Sequence, residues 1–154
     1  MLSAEEQNHR WGKIPEGAYI ALGLDIGTHK IGIASGQSML GTASPHTNIK
    51  ANNAAPAWAE FETVLKQWQP KLIVIGWPLN MDDSPTFLTP ACERAANKIH
   101  GRYGVSVRCV DERLSTREAY DIALSANNST WKNKAVDGLA AAVILETWFN
   151  SYSN

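Results

Sequence analysis

The chain has 154 residues, 44% of them hydrophobic and 19% charged, values normal for a single soluble globular domain. A formal net charge of −1 excludes a global basic field, so any nucleic-acid binding must come from a local patch. Cys92 and Cys109 have no metal-ligand spacing and form no disulfide framework, the N-terminus is polar, and no apolar run reaches membrane-span length. Together these predict a reduced, cytoplasmic protein with no membrane partner.

Residues 1–17 are polar and aperiodic and read as a flexible tail ahead of one domain over 18–150. Ile20, Leu22, Leu24 and Ile26 then alternate with Ala21, Gly23 and Asp25, the period-two signature of a strand. Asp25 is thus a carboxylate at the end of an apolar strand, before a Gly27-Thr28 turn whose backbone can approach a ligand. It either caps that turn or is held rigidly to bind a hard cation or orient a phosphate. A second strand carries Ile31-Gly32-Ile33-Ala34, and a third, broken by Pro45, is expected over 39–50.

Pro56 suits the first turn of a helix, in which Trp58, Phe61, Leu65 and Trp68 recur at helical spacing as a core stripe before Pro70. Leu72-Ile73-Val74-Ile75-Gly76 is a continuous apolar run, as in a strand covered on both faces. The loop after it, with Asp82 and Asp83, lies where ligands bind in parallel sheets, although a solvated turn is the plainer reading. A helix follows over 89–100 with Gly101 as its C′ residue, then a strand over 105–109. Ser115-Thr116-Arg117-Glu118 is a capping box opening a helix to about residue 126. A loop over 127–133 leads to a last helix over 134–149, with Asp137 in its first turn and Leu139, Ala140, Val143, Ile144 and Thr147 facing inward. The expected class is α/β, a mixed sheet of antiparallel hairpin strands and parallel strands flanked by helices.

Three carboxylates stand out. Asp25 ends the first strand, Glu112 follows the last strand, and Asp137 opens the final helix. Parallel strands bring Asp25 and Glu112 to one sheet edge, and the last helix can bring Asp137 beside them. Such a trio needs a cation, and hard oxygen ligands suit Mg²⁺ or Mn²⁺. Two ions about 4 Å apart would clamp a phosphodiester displacement. Each carboxylate also has a plain alternative: Asp137 favours the helix dipole, and Asp111 or Glu112 pairs with Arg113. Lys30, Arg113 and Lys134 sit beside the trio in sequence, and Thr28 and His29 lie in the turn after Asp25, placing all five as candidate substrate contacts. Arg94, Lys98, Arg102, Arg108 and Arg117 add a mild basic excess interleaved with acids, for which a solvated face is the default.

The motif Asp25-Ile26-Gly27-Thr28, followed by Ile31-Gly32-Ile33-Ala34, resembles the first hairpin of ribonuclease H-like folds, shared by metal-dependent nucleases and sugar-kinase-type phosphotransferases. The kinases need a second lobe, for which this chain is too short. With Ile75-Gly76-Trp77-Pro78-Leu79-Asn80-Met81-Asp82, Asp111-Glu112-Arg113-Leu114-Ser115-Thr116 and Lys134-Ala135-Val136-Asp137-Gly138, the chain resembles the YqgF family over residues 18–149. These are Holliday-junction-resolvase-like proteins described as pre-16S rRNA nucleases. The resemblance implies a ribonuclease H-like domain and a cytoplasmic, metal-dependent endonuclease that matures the 5′ end of 16S rRNA. It places the acidic motif on Asp25, Glu112 and Asp137. His29, Trp77 and Asp83 depart from the usual family residues, and none of them is an expected metal ligand. Branched DNA cleavage and non-catalytic RNA binding in ribosome assembly are the rival readings. A monomer or weak homodimer is expected.

Overall fold

The computed structural model describes residues 1–114 and 137–152. Strands β1 (Ile20–Ile26), β2 (Lys30–Gln37) and β3 (Thr42–Asn52) form an antiparallel meander, extended by the two-residue β4 (Ala55–Pro56). On the other side of β1 lie β5 (Leu72–Trp77) and β6 (Ser106–Asp111), both parallel, so the sheet order is β4-β3-β2-β1-β5-β6. The mixed sheet read from the sequence is therefore present, with β5 inside it and the parallel β6 at its outer edge.

Strand alternation divides the core into two layers. Leu22, Leu24, Ile33, Ile73 and Ile75 pack with helices α1 (Ala4–Trp11), α2 (Trp58–Trp68) and α3 (Thr89–Tyr103). Ala21, Ala34, Val74 and Val110 pack on the opposite face against α4 (Leu139–Tyr152) through Ala141, Ile144, Leu145 and Trp148. Small residues on that second face let α4 ride close. A side chain at Gly23 would strike the Ala141 carbonyl, which is why β1 carries glycine there.

The expected elements shift in places for identifiable reasons. Residues 1–17 are corrected from a flexible tail: Ser3 and Glu6 form a reciprocal capping box, and α1 docks by burying Trp11. The indole Nε1 donates to Asn97 Oδ1 at 2.9 Å. The third strand begins at Thr42, after a turn, and tolerates Pro45 because the register shifts between Ile33 and Ala34, making a bulge. Pro56 pairs with Ala51 in β4, and α2 starts only at Trp58. Within α2, Phe61 is fully buried and Val64 nearly so, while Trp58, Leu65 and Trp68 lie at the core margin. Helix α3 runs through Gly101 and ends at Gly104, whose φ of 69° allows its amide to bond the His100 carbonyl at 2.9 Å. In α4, Ala141, Val143, Ile144, Trp148 and Phe149 are buried, with Leu139, Ala140 and Thr147 only partly so. The capping box at 115–118, the helix to 126, the loop over 127–133 and the start of the last helix lie outside the described residues.

Candidate active site

The site forms at the carboxyl ends of β1, β5 and β6. Asp25 is half-buried near the end of β1, paired with Gly32 of β2 on one side, and Leu24 is in register with Ile75, which puts Gly76 beside it on the other. These two glycines clear the flanks of the carboxylate. A Cβ at Gly76 would lie 2.6 Å from Glu112 Oε1, so the Glu112 carboxylate occupies that space. A Cβ at Gly32 would lie 3.4 Å from Asn48 Oδ1, 3.5 Å from the Gly138 Cα and 3.6 Å from the Asp25 Cβ. Asn48, on β3, donates to Asp137 Oδ1 at 2.9 Å. Gly138 turns the chain into α4 with φ 81°, and a side chain there would strike the Ile33 carbonyl. The backbone therefore sets Glu112, Asp25 and the Asn48–Asp137 pair in a row along one sheet edge.

The electrostatics follow from this row. Burial raises the Asp25 carboxyl above its usual range, and Lys30 pulls it partly back. Glu112, in a 3₁₀ turn directly after β6, is pushed up to about 7, chiefly by burial and then by the charges of Asp25 and Asp111. The Asp25 charge thus acts on Glu112 in the same direction as its burial. The Cys92 thiol on α3, pushed up to about 12 by burial, also feels Glu112 and then Asp25. Asp137 is exposed. Among the described residues, no group of three or more His, Cys, Asp or Glu side chains is arranged to hold a metal. The structure sets Glu112 against Gly76 and Asp25 against Gly32, and Asn48, which also borders Gly32, holds Asp137.

The other candidate contacts divide. Thr28 is half-buried, and His29 and Lys30 are exposed at the mouth of the site. Arg113 does not present an open guanidinium. Its Nε and Nη2 grip the Asp111 carboxylate at 2.7–3.1 Å, and its Nη1 donates to the Asn80 carbonyl at 2.9 Å and to Asp83 at 2.8 Å. It straps the loop after β5 to the end of β6 and lowers the pKa of the Asp111 carboxyl by hydrogen bonding to it. Lys134 lies outside the described residues. Sequence reasoning missed Asn48, Gly32 and Gly76. An asparagine within a strand and glycines flanking an acidic strand end were the available signals.

Residues 19–151 match a family model described as "RuvX: Holliday junction resolvase". A Nitrosococcus oceani protein named "Putative pre-16S rRNA nuclease" is 42% identical over 134 residues, covering 87% of this chain and 88% of the relative. An Edwardsiella ictaluri protein of the same name is 45% identical over 131 residues, covering 84% of this chain and 94% of the relative. In fold, the chain is similar to T. thermophilus RuvC solved with a Holliday junction substrate, at TM-score 0.62 and 14% identity over 86% of this chain and 94% of that one. The fold is ribonuclease H-like, and the chain belongs to the RuvX/YqgF family of Holliday-junction-resolvase-like proteins.

Proposed function

We propose that this chain is a metal-dependent endonuclease that hydrolyses phosphodiester bonds in structured RNA and matures the 5′ end of pre-16S rRNA in the cytoplasm. The observation that carries the reading is the placement of Asp25 and Glu112 at the carboxyl ends of β1 and β6, beside Gly32 and Gly76, with Asp137 held by Asn48 next to Gly32. Two buried-edge carboxylates whose charges oppose each other are a donor set that fits a hard divalent cation. Asp25, Glu112 and Asp137 would hold Mg²⁺ or Mn²⁺. Once bound, such ions lower the pKa of a water and neutralise charge on the leaving oxygen. The chain's own part is to keep these oxygens fixed on rigid strands and to orient the substrate. Lys30 and His29 face solvent where phosphates would approach, and Thr28 stands in the turn that a backbone could touch. Arg113, strapped to Asp111, steadies the loop beside Glu112 rather than the substrate.

A second reading, branched-DNA cleavage by the same carboxylates, is supported by the family description and by the RuvC fold likeness. Both are tested by incubating purified protein with a pre-16S rRNA fragment and with a four-way DNA junction, in Mg²⁺, Mn²⁺ or chelator. Cleavage of the RNA that needs metal and vanishes in Asp25→Asn is the expected result. If wild type and Asp25→Asn bind RNA equally and neither cuts either substrate, a non-catalytic assembly role replaces this reading.

The cleared flank offers its own test. In Gly76→Ala the new methyl would press on Glu112 Oε1 and on Ile144 Cδ1, each at 2.6 Å. Both are ends of flexible side chains, so the stability cost should be about 1 kcal/mol. The displaced Glu112 should lower kcat by about 10–100-fold, as loss of ligand support does. Melting and cleavage measured side by side check the split, and unchanged kcat would separate Glu112 from the chemistry.

A further inference from the structure

We propose that the groove between α3 and the β3–β4 turn is a second nucleic-acid contact, which grips the phosphodiester backbone of the substrate as it leaves the catalytic edge. The inference rests on the reading that the substrate is a nucleic acid, but on different residues. The groove is shallow and open, with a cavity volume of about 30 Å³, and is lined by Ala91 and Ala95, by Asn53 and Trp58, and by Arg94 and Lys98. Only the rim of the groove is accessible, because Ala91 and Ala95 are buried, so the cationic side chains on the rim carry the contact. Arg94, Lys98 and Arg102 recur every four residues and are all exposed, forming one cationic stripe with a rise of about 6 Å per step. That is the order of the spacing between successive phosphates along a strand.

Three further observations favour an extended polyanion. Among the described residues, neither Arg94 nor Lys98 forms a salt bridge or a side-chain hydrogen bond. Their acidic neighbour Glu93 turns instead to Arg10, at 3.8 Å. The Arg102 guanidinium lies 4.2 Å over the Trp58 ring, which fixes the end of the stripe against the groove. On a chain of net charge −1, such a stripe is the local patch that nucleic-acid binding requires.

The groove is also tied to the catalytic edge. The Ala54 amide donates to the Thr28 carbonyl and the Ala51 amide to the His29 carbonyl, each at 2.9 Å. Asn53 and Ala54 take positive φ values of 50° and 66°. Alanine there is strained, and the two bonds to the β1–β2 turn hold it. A strand passing Thr28 and His29 therefore meets the groove wall next.

The test uses the full chain with Arg94→Ala/Lys98→Ala, two exposed positions outside the carboxylate site. Binding is measured in chelator across a salt series, with an RNA hairpin carrying a single-stranded flank and with the same hairpin trimmed back to the cleavage point. Losing two phosphate contacts should reduce the slope of log affinity against log salt by about 1.4–1.8. Affinity for the flanked RNA should fall about tenfold, with kcat at saturation unchanged and with the trimmed RNA insensitive. Arg94→Lys/Lys98→Arg should restore the slope. An unchanged slope overturns the groove, as does an equal loss on the trimmed RNA. If wild type binds with this slope but cuts nothing, the groove stands and the nuclease reading falls. If cleavage persists and the slope is unmoved, the nuclease reading stands and the groove falls.

Discussion

Glu112→Gln should abolish metal-dependent cleavage, by about a thousandfold or more, and at the same time stabilise the metal-free chain above pH 7. If Glu112 holds the proposed metal, the activity loss follows from replacing an anionic oxygen donor with a neutral amide. Several kcal/mol of charge stabilisation depend on such donors, and about 4 kcal/mol is a thousandfold. The stability gain follows from the carboxyl's position. Burial first, then Asp25 and Asp111, raise its pKa from 4.5 to about 7. A folded pKa above the unfolded one means that the fold favours the protonated acid. That contribution is fully present below about pH 4.5 and is lost as pH rises through about 7. At pH 8 the wild-type carboxylate is ionised against its surroundings, whereas glutamine is neutral and nearly isosteric.

The full shift corresponds to about 3 kcal/mol at 1.36 kcal/mol per pH unit, and partial exposure of the carboxyl reduces this to about 1–2 kcal/mol. For a chain of this size that is a Tm gain of about 3–6 °C in chelator at pH 8, vanishing by pH 4.5. Adding Mg²⁺ should raise the Tm of wild type by linkage and leave the glutamine variant nearly unmoved. Calorimetry at the two pH values, with and without metal, reads all of this without relying on activity. A variant no more stable than wild type at pH 8 would show that Glu112 is not held against its charge, and the metal reading would lose its support.

Much of this site was legible because strands are periodic. Alternation from Ile20 to Ile26 placed Asp25 on the face opposite Leu22 and Leu24, and the structure has it there. The unbroken run from Leu72 is a strand buried on both faces, as apolar continuity implies. What was not legible depends on contacts between residues distant in sequence. Gly32 and Gly76 read as unremarkable strand glycines until the sheet sets them on either side of Asp25. Asn48 carries no signal of its partner, Asp137, 89 residues away. Arg113 sits beside the acidic motif in sequence and so reads as a phosphate contact, but the fold spends it on Asp111, Asn80 and Asp83. Gly101 and Gly104 are equivalent as sequence stops, and helix packing selects the later one. The capping box from Ser3 to Glu6 was readable, and was masked by the polarity around it.

That N-terminal helix carries the largest expected effect on stability. Arg108→Ala should cost about 3–4 kcal/mol and lower Tm by about 6–15 °C. The reason begins with topology: β6 is the outer strand of the sheet, and its backbone would otherwise lie open to pairing with another chain. Helix α1 closes that edge. Gln7 Oε1 accepts from the Cys109 amide at 2.8 Å, and Ser106 Oγ donates to the Lys13 carbonyl at 2.6 Å. The buried Arg108 guanidinium fastens the closure, donating to the carbonyls of Gly12 at 2.8 Å and Val107 at 2.7 Å and to Asn8 Oδ1 at 3.0 Å. It meets the carbonyl end of α1, where the helix dipole favours a cation. Alanine would leave the buried Val107 carbonyl and the part-buried Gly12 carbonyl without this donor and loosen Trp11 from its seat beside Trp77, now 6.3 Å between ring centres. Lysine should rescue little, because a single ammonium does not span acceptors on both α1 and β6. Hydrogen exchange should quicken over residues 4–13 and at Cys109 in the alanine variant, and light scattering should detect self-association through the opened edge. A variant with unchanged Tm and unchanged protection at Cys109 would mean that α1 covers the edge without securing it.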